Sequence, residues 1–272
     1  MSAEALAVVT AQDGDVVRLE LGDVARGPWD AASAHGGAPA ALLTRAVEAH
    51  AAGTDLRVSS LAFTFLGPVP LGAVEIRTTV RKSGRRLQVV HGELRAGGRT
   101  AMEVQATLLR RGRVPLPAGV GMPWPELAPP EGRAAAPAWF VVDGGRAFHP
   151  DAVEIRPLGD APLGEPTPDG AAAWLRLRVP VVGEETPTAA QRAAAAADFG
   201  NGLSCPVPMA DYVFVNCDLH VALHRDPAGE WIGLRARTEL DRAGTGLTTT
   251  ELHDAAGRFG TATQTLFVEA RA

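Results

Sequence analysis

Cysteine and basic charge are both scarce in this sequence, and each scarcity excludes a class of protein. Two cysteines, Cys205 and Cys217, stand alone among 272 residues. They cannot form a disulfide framework, and they lack the companion ligands of a zinc site, so we expect two reduced, inert thiols. The net charge of -5 gives no electrostatic reason to expect nucleic acid or an anionic membrane as a partner.

Long hydrophobic runs and signature loops are missing as well. No stretch approaches the roughly 18 uninterrupted apolar residues of a membrane-spanning helix, and the N-terminus lacks a basic segment followed by an apolar one. These features predict a cytoplasmic protein with no membrane partner. The sequence has no phosphate-cradling glycine loop, no Gly-x-Ser-x-Gly elbow and no His-Glu-x-x-His motif, so we expect neither a cofactor nor a metal.

The first part of the chain reads as one helix and a set of strands. Val16 to Leu21 alternates apolar and polar residues, and helical spacing of small and apolar residues predicts a helix over Gly37 to Ala51. Short turns at Pro68 to Gly72, Ser83-Gly84 and Gly97-Gly98 predict hairpins in an antiparallel sheet. The four strands predicted between and around these turns are Arg57 to Gly67, Ala73 to Lys82, Arg86 to Ala96 and Thr100 to Arg110.

A segment rich in Pro and Gly, residues 113–150, divides the sequence. We interpret it as a linker between an N-terminal repeat, residues 1–112, and a C-terminal repeat, residues 151–272. Its Trp124, Trp139 and Phe140 predict that it lies against a surface. Beyond it come strands at Val153 to Arg156 and Ala172 to Val182, an alanine-rich helix that ends near Asp198, and strands at Tyr212 to His224, Trp231 to Leu240, Leu247 to His253 and Phe259 to Glu269.

The two parts can be aligned on each other. An offset of roughly 160 residues pairs the same residue types in the same order of elements. This predicts a duplicated chain whose halves associate as a pseudo-dimer, each supplying half of a shared site. The aligned pairs are Leu61 with Leu219, Gly84 with Gly244, Arg99 with Arg258 and Gln105 with Gln264.

The motifs of both halves carry a resemblance to a known family. The first half has HGGAPAALLTRAV and VSSLAFTFLGPVPLG, and the second has ADFGNGLS, NCDLHVALHR and GTATQTLFVEAR. Together they resemble the acyl-CoA thioesterase II family. The resemblance implies an α+β double hotdog fold, two tandem antiparallel sheets each wrapped around a central helix. It also implies a hydrolase that converts a fatty or related acyl-CoA to free acid and CoA.

The resemblance also implies three catalytic residues. Asp198, Asn216 and Gln264 fall where the family holds its attacking water. The chemistry is consistent, because a carboxylate can take a proton from water while neutral amides orient that water. Backbone N–H groups beside Gly36 and Gly37, or beside Gly200 and Gly202, could bind the oxyanion of the substrate, and His35 could polarise its carbonyl.

Alternatives remain open at this point. Asp198 could be only a helix-end acid, and Asp218 could be the better base. The chain could instead be a hotdog enoyl-CoA hydratase with His35 as its base, or a non-catalytic acyl-thioester binding protein. Exposed sheet edges favour a dimer of double hotdogs. Two basic groups could bind CoA phosphates or be solvated, namely Arg81, Lys82, Arg85 and Arg86 at one turn and His224-Arg225 at another.

Overall fold

The computed structural model describes residues 4–117, 119–120, 125–138 and 145–271. The aromatic residues of the linker, Trp124, Trp139 and Phe140, lie outside these ranges, and their predicted contact with a surface stays a prediction. Within the described part of the chain, thirteen strands form one antiparallel sheet that packs against the helices. No helix in these ranges is long and apolar enough to cross a membrane.

The first half contains helix α1 and six strands. Helix α1 (Gly37–Glu48) continues into a single 3-10 turn at Ala49–Ala51, which confirms the predicted helix. Leu42, Leu43 and Val47 are buried against the sheet. The strands are β1 (Ala7–Asp13), β2 (Val16–Leu21), β3 (Leu56–Phe65), β4 (Gly72–Lys82), β5 (Leu87–Ala96) and β6 (Arg99–Arg110). Their spatial order is β1-β2-β4-β5-β6-β3.

One predicted hairpin is wrong. Strands β3 and β4 are not paired, because β3 lies beyond β6 while β4 lies between β2 and β5. The loop between them pairs with other segments instead. The N–H of Leu66 donates to the carbonyl of Ala101, and the carbonyl of Val69 accepts from Ala34 in the segment that leads into α1. The proline-rich turn therefore crosses the end of the sheet and places its residues beside the start of the helix.

The second half repeats this arrangement. Its helices are α2 (Ala189–Ala197) and the short α3 (Gly200–Ser204), and Asp198 lies between them as the residue that ends α2. The strand predicted over Tyr212 to His224 is interrupted at Cys217. The strands are β7 (Val153–Pro157), β8 (Ala171–Leu177), β9 (Tyr212–Asn216), β10 (Asp218–Leu223), β11 (Trp231–Asp241), β12 (Thr245–Asp254) and β13 (Gly257–Ala270).

The halves share one sheet and one layer of helices. Strand β3 pairs with β10, so the two expected sheets are continuous through this contact. The two long helices run antiparallel. The start of α1 is so close to the end of α2 that a Cβ on Gly37 would lie 2.5 Å from the carbonyl oxygen of Ala195. At the other end, the Glu48 carboxylate accepts hydrogen bonds from Thr188 and Gln191. Each end of the helix pair is thus built by both halves.

The strand register corrects one aligned pair. Ala106 lies opposite Leu61, and the pairing of Val221 with Ala262 puts Gln264 opposite Leu219. The true counterpart of Gln264 is therefore Ala106. Gln105 points to the exposed outer face, whereas Gln264 is buried under the helices, because neighbouring residues of a strand face opposite sides. The two glutamines share a sequence position but not a role.

Candidate active site

A pocket opens where α1 begins and α2 ends. Its volume is about 380 Å³ and its walls are mainly apolar, both ordinary for a ligand site. Four segments build it: the approach to α1, the loop after β3, the junction of α2 with α3, and the end of β9. The lining residues are Gly27, Pro28, Trp29, Asp30, Ser33, Ala34, His35, Gly36, Pro39, Phe65, Leu66, Gly67, Pro68, Val69, Asp198, Asn201, Val215, Asn216 and Cys217.

Asp198 presents its carboxylate to this pocket with a polar side chain against each oxygen. The side-chain amide of Asn216 donates to Oδ1 over 2.7 Å, and Oδ2 lies 3.0 Å from Nδ1 of His35. Only 5% of the side chain is exposed. Because a buried carboxylate is stable only when it is hydrogen-bonded or paired, these contacts fix it in one orientation. The structure thus brings together two predicted catalytic residues and one predicted substrate-binding residue.

His35 is held against this carboxylate by aromatic packing. Its ring stacks on Phe199 with centroids 4.3 Å apart and lies 5.0 Å from the ring of Phe148. Its Nδ1 faces two groups, since the N–H of Gly37 also points at it over 3.1 Å. One ring nitrogen cannot donate to Asp198 and accept from Gly37 at the same moment. The tautomer of His35 therefore decides which of the two contacts is a hydrogen bond.

Gln264 reaches the site from the sheet but contacts backbone and not the carboxylate. Its amide nitrogen donates to the carbonyl of Asp198 over 3.3 Å, and its amide oxygen accepts the N–H of Asn201 over 3.0 Å. With 1% of its surface exposed, it lies behind the pocket wall. It holds the junction between α2 and α3, and so it positions Asp198.

The four predicted glycines occupy two different places. Gly36 lines the pocket, and a Cβ there would lie 2.8 Å from Oδ2 of Asp198, so no other residue leaves room for the carboxylate. Gly37 allows the close contact between α1 and α2. Gly200 packs under Gln264 and Thr250, and the N–H of Gly202 donates to the side chain of Asn201. Neither Gly200 nor Gly202 is among the lining residues.

Other sequence candidates lie away from the pocket. Asp218 accepts the N–H of Thr265 over 2.8 Å on the outer face of the sheet. Arg225 forms an ion pair with buried Asp254. The turn with Arg81, Lys82, Arg85 and Arg86 is at the opposite end of β4 from the pocket, on the order of 30 Å away for eleven residues of strand.

The cysteines also differ in their surroundings. Burial raises the pKa of the Cys205 thiol to about 11, and Cys217 lies in the pocket wall as a free thiol.

The sequence analysis did not predict the aromatic and apolar side chains at the opening of the pocket. Trp29 is 42% exposed there, its ring meets Phe214 edge-on at 5.4 Å, and Phe65 and Leu66 lie nearby in the lining. A tryptophan in a Gly-Pro-Trp-Asp turn shortly before His35 was the available signal. Large apolar side chains exposed around a concave site are typical of a surface that receives an apolar ligand.

These features define a double hotdog protein with a buried carboxylate in the wall of an apolar pocket. Residues 25–109 match the model of the acyl-CoA thioesterase N-terminal domain, and residues 125–268 match that of the acyl-CoA thioesterase C-terminal domain. The chain belongs to the acyl-CoA thioesterase family and is a thioester hydrolase. A search of curated protein sequences gives no match.

Solved structures show the same fold. A protein of Thermobifida fusca, provisionally assigned as a thioesterase II, is 19% identical with a TM-score of 0.74, over 98% of this chain and 96% of that chain. A hot dog fold protein of Alicyclobacillus acidocaldarius has the same TM-score at 16% identity, over 96% of both chains. An acyl-CoA thioesterase II of Mycobacterium marinum is 13% identical with a TM-score of 0.69, over 97% and 96%.

Proposed function

We propose that this chain hydrolyses a fatty or related acyl-CoA to free acid and CoA, with Asp198 as the general base. One observation carries the proposal: the Asp198 carboxylate lies in the wall of a mainly apolar pocket, accepts the side-chain amide of Asn216 and lies 3.0 Å from Nδ1 of His35. An apolar pocket suits an acyl chain, and a fixed carboxylate suits the removal of a proton from water.

The reaction needs no covalent intermediate with the enzyme. Water attacks the thioester carbonyl carbon as Asp198 takes one of its protons, and a C–O bond forms. The N–H of Gly36 has no acceptor among the described residues and can bind the developing oxyanion at the start of α1. The C–S bond then breaks, and the thiolate of CoA receives the proton from Asp198.

The three polar neighbours have separate roles in this scheme. Asn216 orients Asp198 through its amide N–H, and its amide oxygen, which has no partner in the described ranges, can accept a hydrogen from the attacking water. His35 lies beside the other carboxylate oxygen and lines the pocket that receives the substrate. Gln264 acts through the backbone, as a positioning residue.

A second candidate reaction is favoured by the contact between His35 and Asp198. A histidine paired with an aspartate can also deliver water to the double bond of an enoyl-CoA, with His35 as the base. The two reactions can be distinguished by their products, because hydration removes the absorbance of the enoyl double bond without releasing a thiol. Hydrolysis releases one thiol for each ester cleaved.

The remaining expectations accompany this proposal. Leu247 and Phe267 expose apolar side chains on adjacent strands of the outer face, which supports a dimer of double hotdogs. The repeat bounds, residues 1–112 and 151–272, and the cytoplasmic location stay predictions.

The test is thiol release from acyl-CoAs of increasing chain length, with wild type, Asp198→Asn and the control Asp218→Asn side by side. We expect the rate of Asp198→Asn to fall by about 100-fold or more, the usual contribution of general-base catalysis. Asp218→Asn should retain the wild-type rate, because an amide oxygen can still accept the N–H of Thr265. Equal rates in all three proteins would remove Asp198 as the base, and binding without turnover would favour the acyl-thioester binding protein.

A further inference from the structure

A second cavity lies at the opposite end of the helix pair, and it repeats the first with the two halves exchanged. Its volume is about 400 Å³. The first pocket uses the start of α1, the end of α2, the end of β9 and the loop after β3. The second uses the start of α2, the end of α1, the start of β3 and the loop after β10. Its lining residues are Glu48, Ala51, Ala52, Gly53, Thr54, Leu56, Arg57, Val58, Thr188, Ala189, Ala190 and Asp226.

Glu48 is the helix-end acid of this cavity, although the offset that pairs Leu61 with Leu219 aligns Asp198 with Ala40 and not with Glu48. It is the last residue of α1, as Asp198 is the residue that ends α2. The hydroxyl of Thr188 donates to its carboxylate over 2.8 Å, and the side-chain amide of Gln191 donates over 2.9 Å. Burial, which outweighs these hydrogen bonds, raises the pKa of the Glu48 carboxyl. A carboxyl group so placed is suited to exchange protons closer to neutrality than an exposed glutamate.

The hydrogen bonds of Glu48 are not needed to start helix α2. Thr188 and Gln191 already form a complete capping box, in which each side chain binds the backbone N–H of the other residue. Two further donors at this helix start are free. The N–H groups of Ala189 and Ala190 have no acceptor in the described part of the chain, and both residues line the cavity. N–H groups at the start of a helix are suited to bind an anion.

We propose that this second cavity is a second thioester hydrolysis site, with Glu48 as the base that activates water. The proposal rests on the function proposed above for the first pocket. Water attacks the thioester carbonyl carbon, its proton passes to Glu48, and the N–H groups of Ala189 and Ala190 bind the oxyanion. The C–S bond breaks, and the leaving thiolate takes the proton back from Glu48.

The walls of the second cavity indicate a different acyl group. The first pocket presents Trp29 and Phe65, whereas the described lining of the second has no aromatic side chain and carries Arg57 and Asp226. A smaller or more polar acyl group than that of the first pocket fits these walls. The acyl-chain preference of the second site should therefore differ from that of the first.

The experiment compares wild type, Asp198→Asn, Glu48→Gln and the double variant in thiol release from short-chain, hydroxylated and long-chain acyl-CoAs. We expect Asp198→Asn to keep a residual hydrolysis that favours the short or hydroxylated esters. Adding Glu48→Gln should lower this residual rate by about 10-fold or more. Glutamine can still accept the side-chain amide of Gln191 and the hydroxyl of Thr188, so circular dichroism and melting temperature should show a folded protein.

A cavity-filling variant tests whether the cavity binds the substrate, independently of the Glu48 carboxylate. Ala52 is exposed at the cavity and tolerates a large side chain, so Asp198→Asn with Ala52→Phe should raise KM for the residual reaction. The proposal is overturned if Asp198→Asn shows no rate above buffer, or if neither added change alters its residual rate. If Asp198→Asn keeps the full wild-type rate and Glu48→Gln removes it, the second site stands and the role given to Asp198 fails.

Discussion

The two halves of the molecule share a frame but bury different chemistry under their helices. In the first half the inner face of the sheet is almost wholly apolar, with Ala106 at the centre. The second half buries Gln264 at the equivalent position, and beside it a chain of hydroxyls from Ser204, Thr238 and Thr248. The shared backbone therefore determines where a pocket forms, and a few buried polar residues in one half determine which hydrogen bonds support it.

A substitution that gives the second half the residue of the first should lower both stability and turnover. Gln264→Ala leaves the N–H of Asn201 and the carbonyl of Asp198 without their buried partner, at a cost of about 1–3 kcal/mol. At this chain length the melting temperature should fall by roughly 2–4 °C for each kcal/mol. The kcat should also fall, by about 10-fold, with KM nearly unchanged, because the carboxylate loses its fixed position.

The reciprocal change, Ala106→Gln, completes this comparison. It should destabilise the first half by a similar amount while leaving kcat within about two-fold, because the new amide has no partners and lies away from Asp198. Thermal melts and steady-state kinetics of both variants give the answer. A loss of kcat in Ala106→Gln equal to that in Gln264→Ala would mean that the asymmetry of the halves has no bearing on the site.

A smaller effect is expected at Asn216, whose side chain contacts the carboxylate directly. Asn216→Ala removes the donor to Oδ1 of Asp198, so kcat for thiol release should fall by about 10-fold, the value of one charge-assisted hydrogen bond. Asn216→Thr restores a hydroxyl donor at the same strand position and should recover part of the loss. Asn216→Ala should also lower the melting temperature, because it leaves an oxygen of the buried Asp198 carboxylate without its donor. If the alanine and threonine variants have the kcat of wild type, Asn216 only lines the pocket and does not contribute to turnover.

The smallest effect concerns the far end of the helices. Burial raises the pKa of Glu48 above its ordinary 4.5, so the folded state binds this proton more tightly than the unfolded state. The stability that Glu48 contributes is therefore complete below that ordinary value and is lost as the pH rises through the raised one. Glu48→Gln should thus gain in melting temperature relative to wild type between pH 4 and pH 8. A constant difference across this range would show that Glu48 has an ordinary pKa.

Much of the fold follows from local patterns in the sequence. The alternation of apolar residues located most strands and placed α1 within a residue or two, but it missed β1, merged β9 with β10 and extended β8 to Val182. Pairing partners were harder, because a short turn predicts a hairpin only when its strands have no better neighbour. The loop after β3 binds the approach to α1 and the start of β6, and those contacts come from distant parts of the chain.

The site was predictable to a different degree. Asp198 was found from its place at the end of an alanine-rich helix, together with the resemblance to a family. Its contact with His35 could not be found in this way, because it depends on how two helices from different halves approach each other. Glu48 gave no signal at all, since a glutamate near the end of a helix is ordinarily solvent-exposed.

Both pockets belong to a single polypeptide whose halves meet where β3 pairs with β10, and no residue of one pocket is repeated by symmetry in the other. In a symmetric dimer of identical chains, any substitution would appear in both pockets at once. Here a mutation that gives one pocket an aspartate, an aromatic mouth or a buried glutamine leaves the other pocket unaltered. The chemistry of one pocket can therefore be changed by single substitutions while that of the other stays the same.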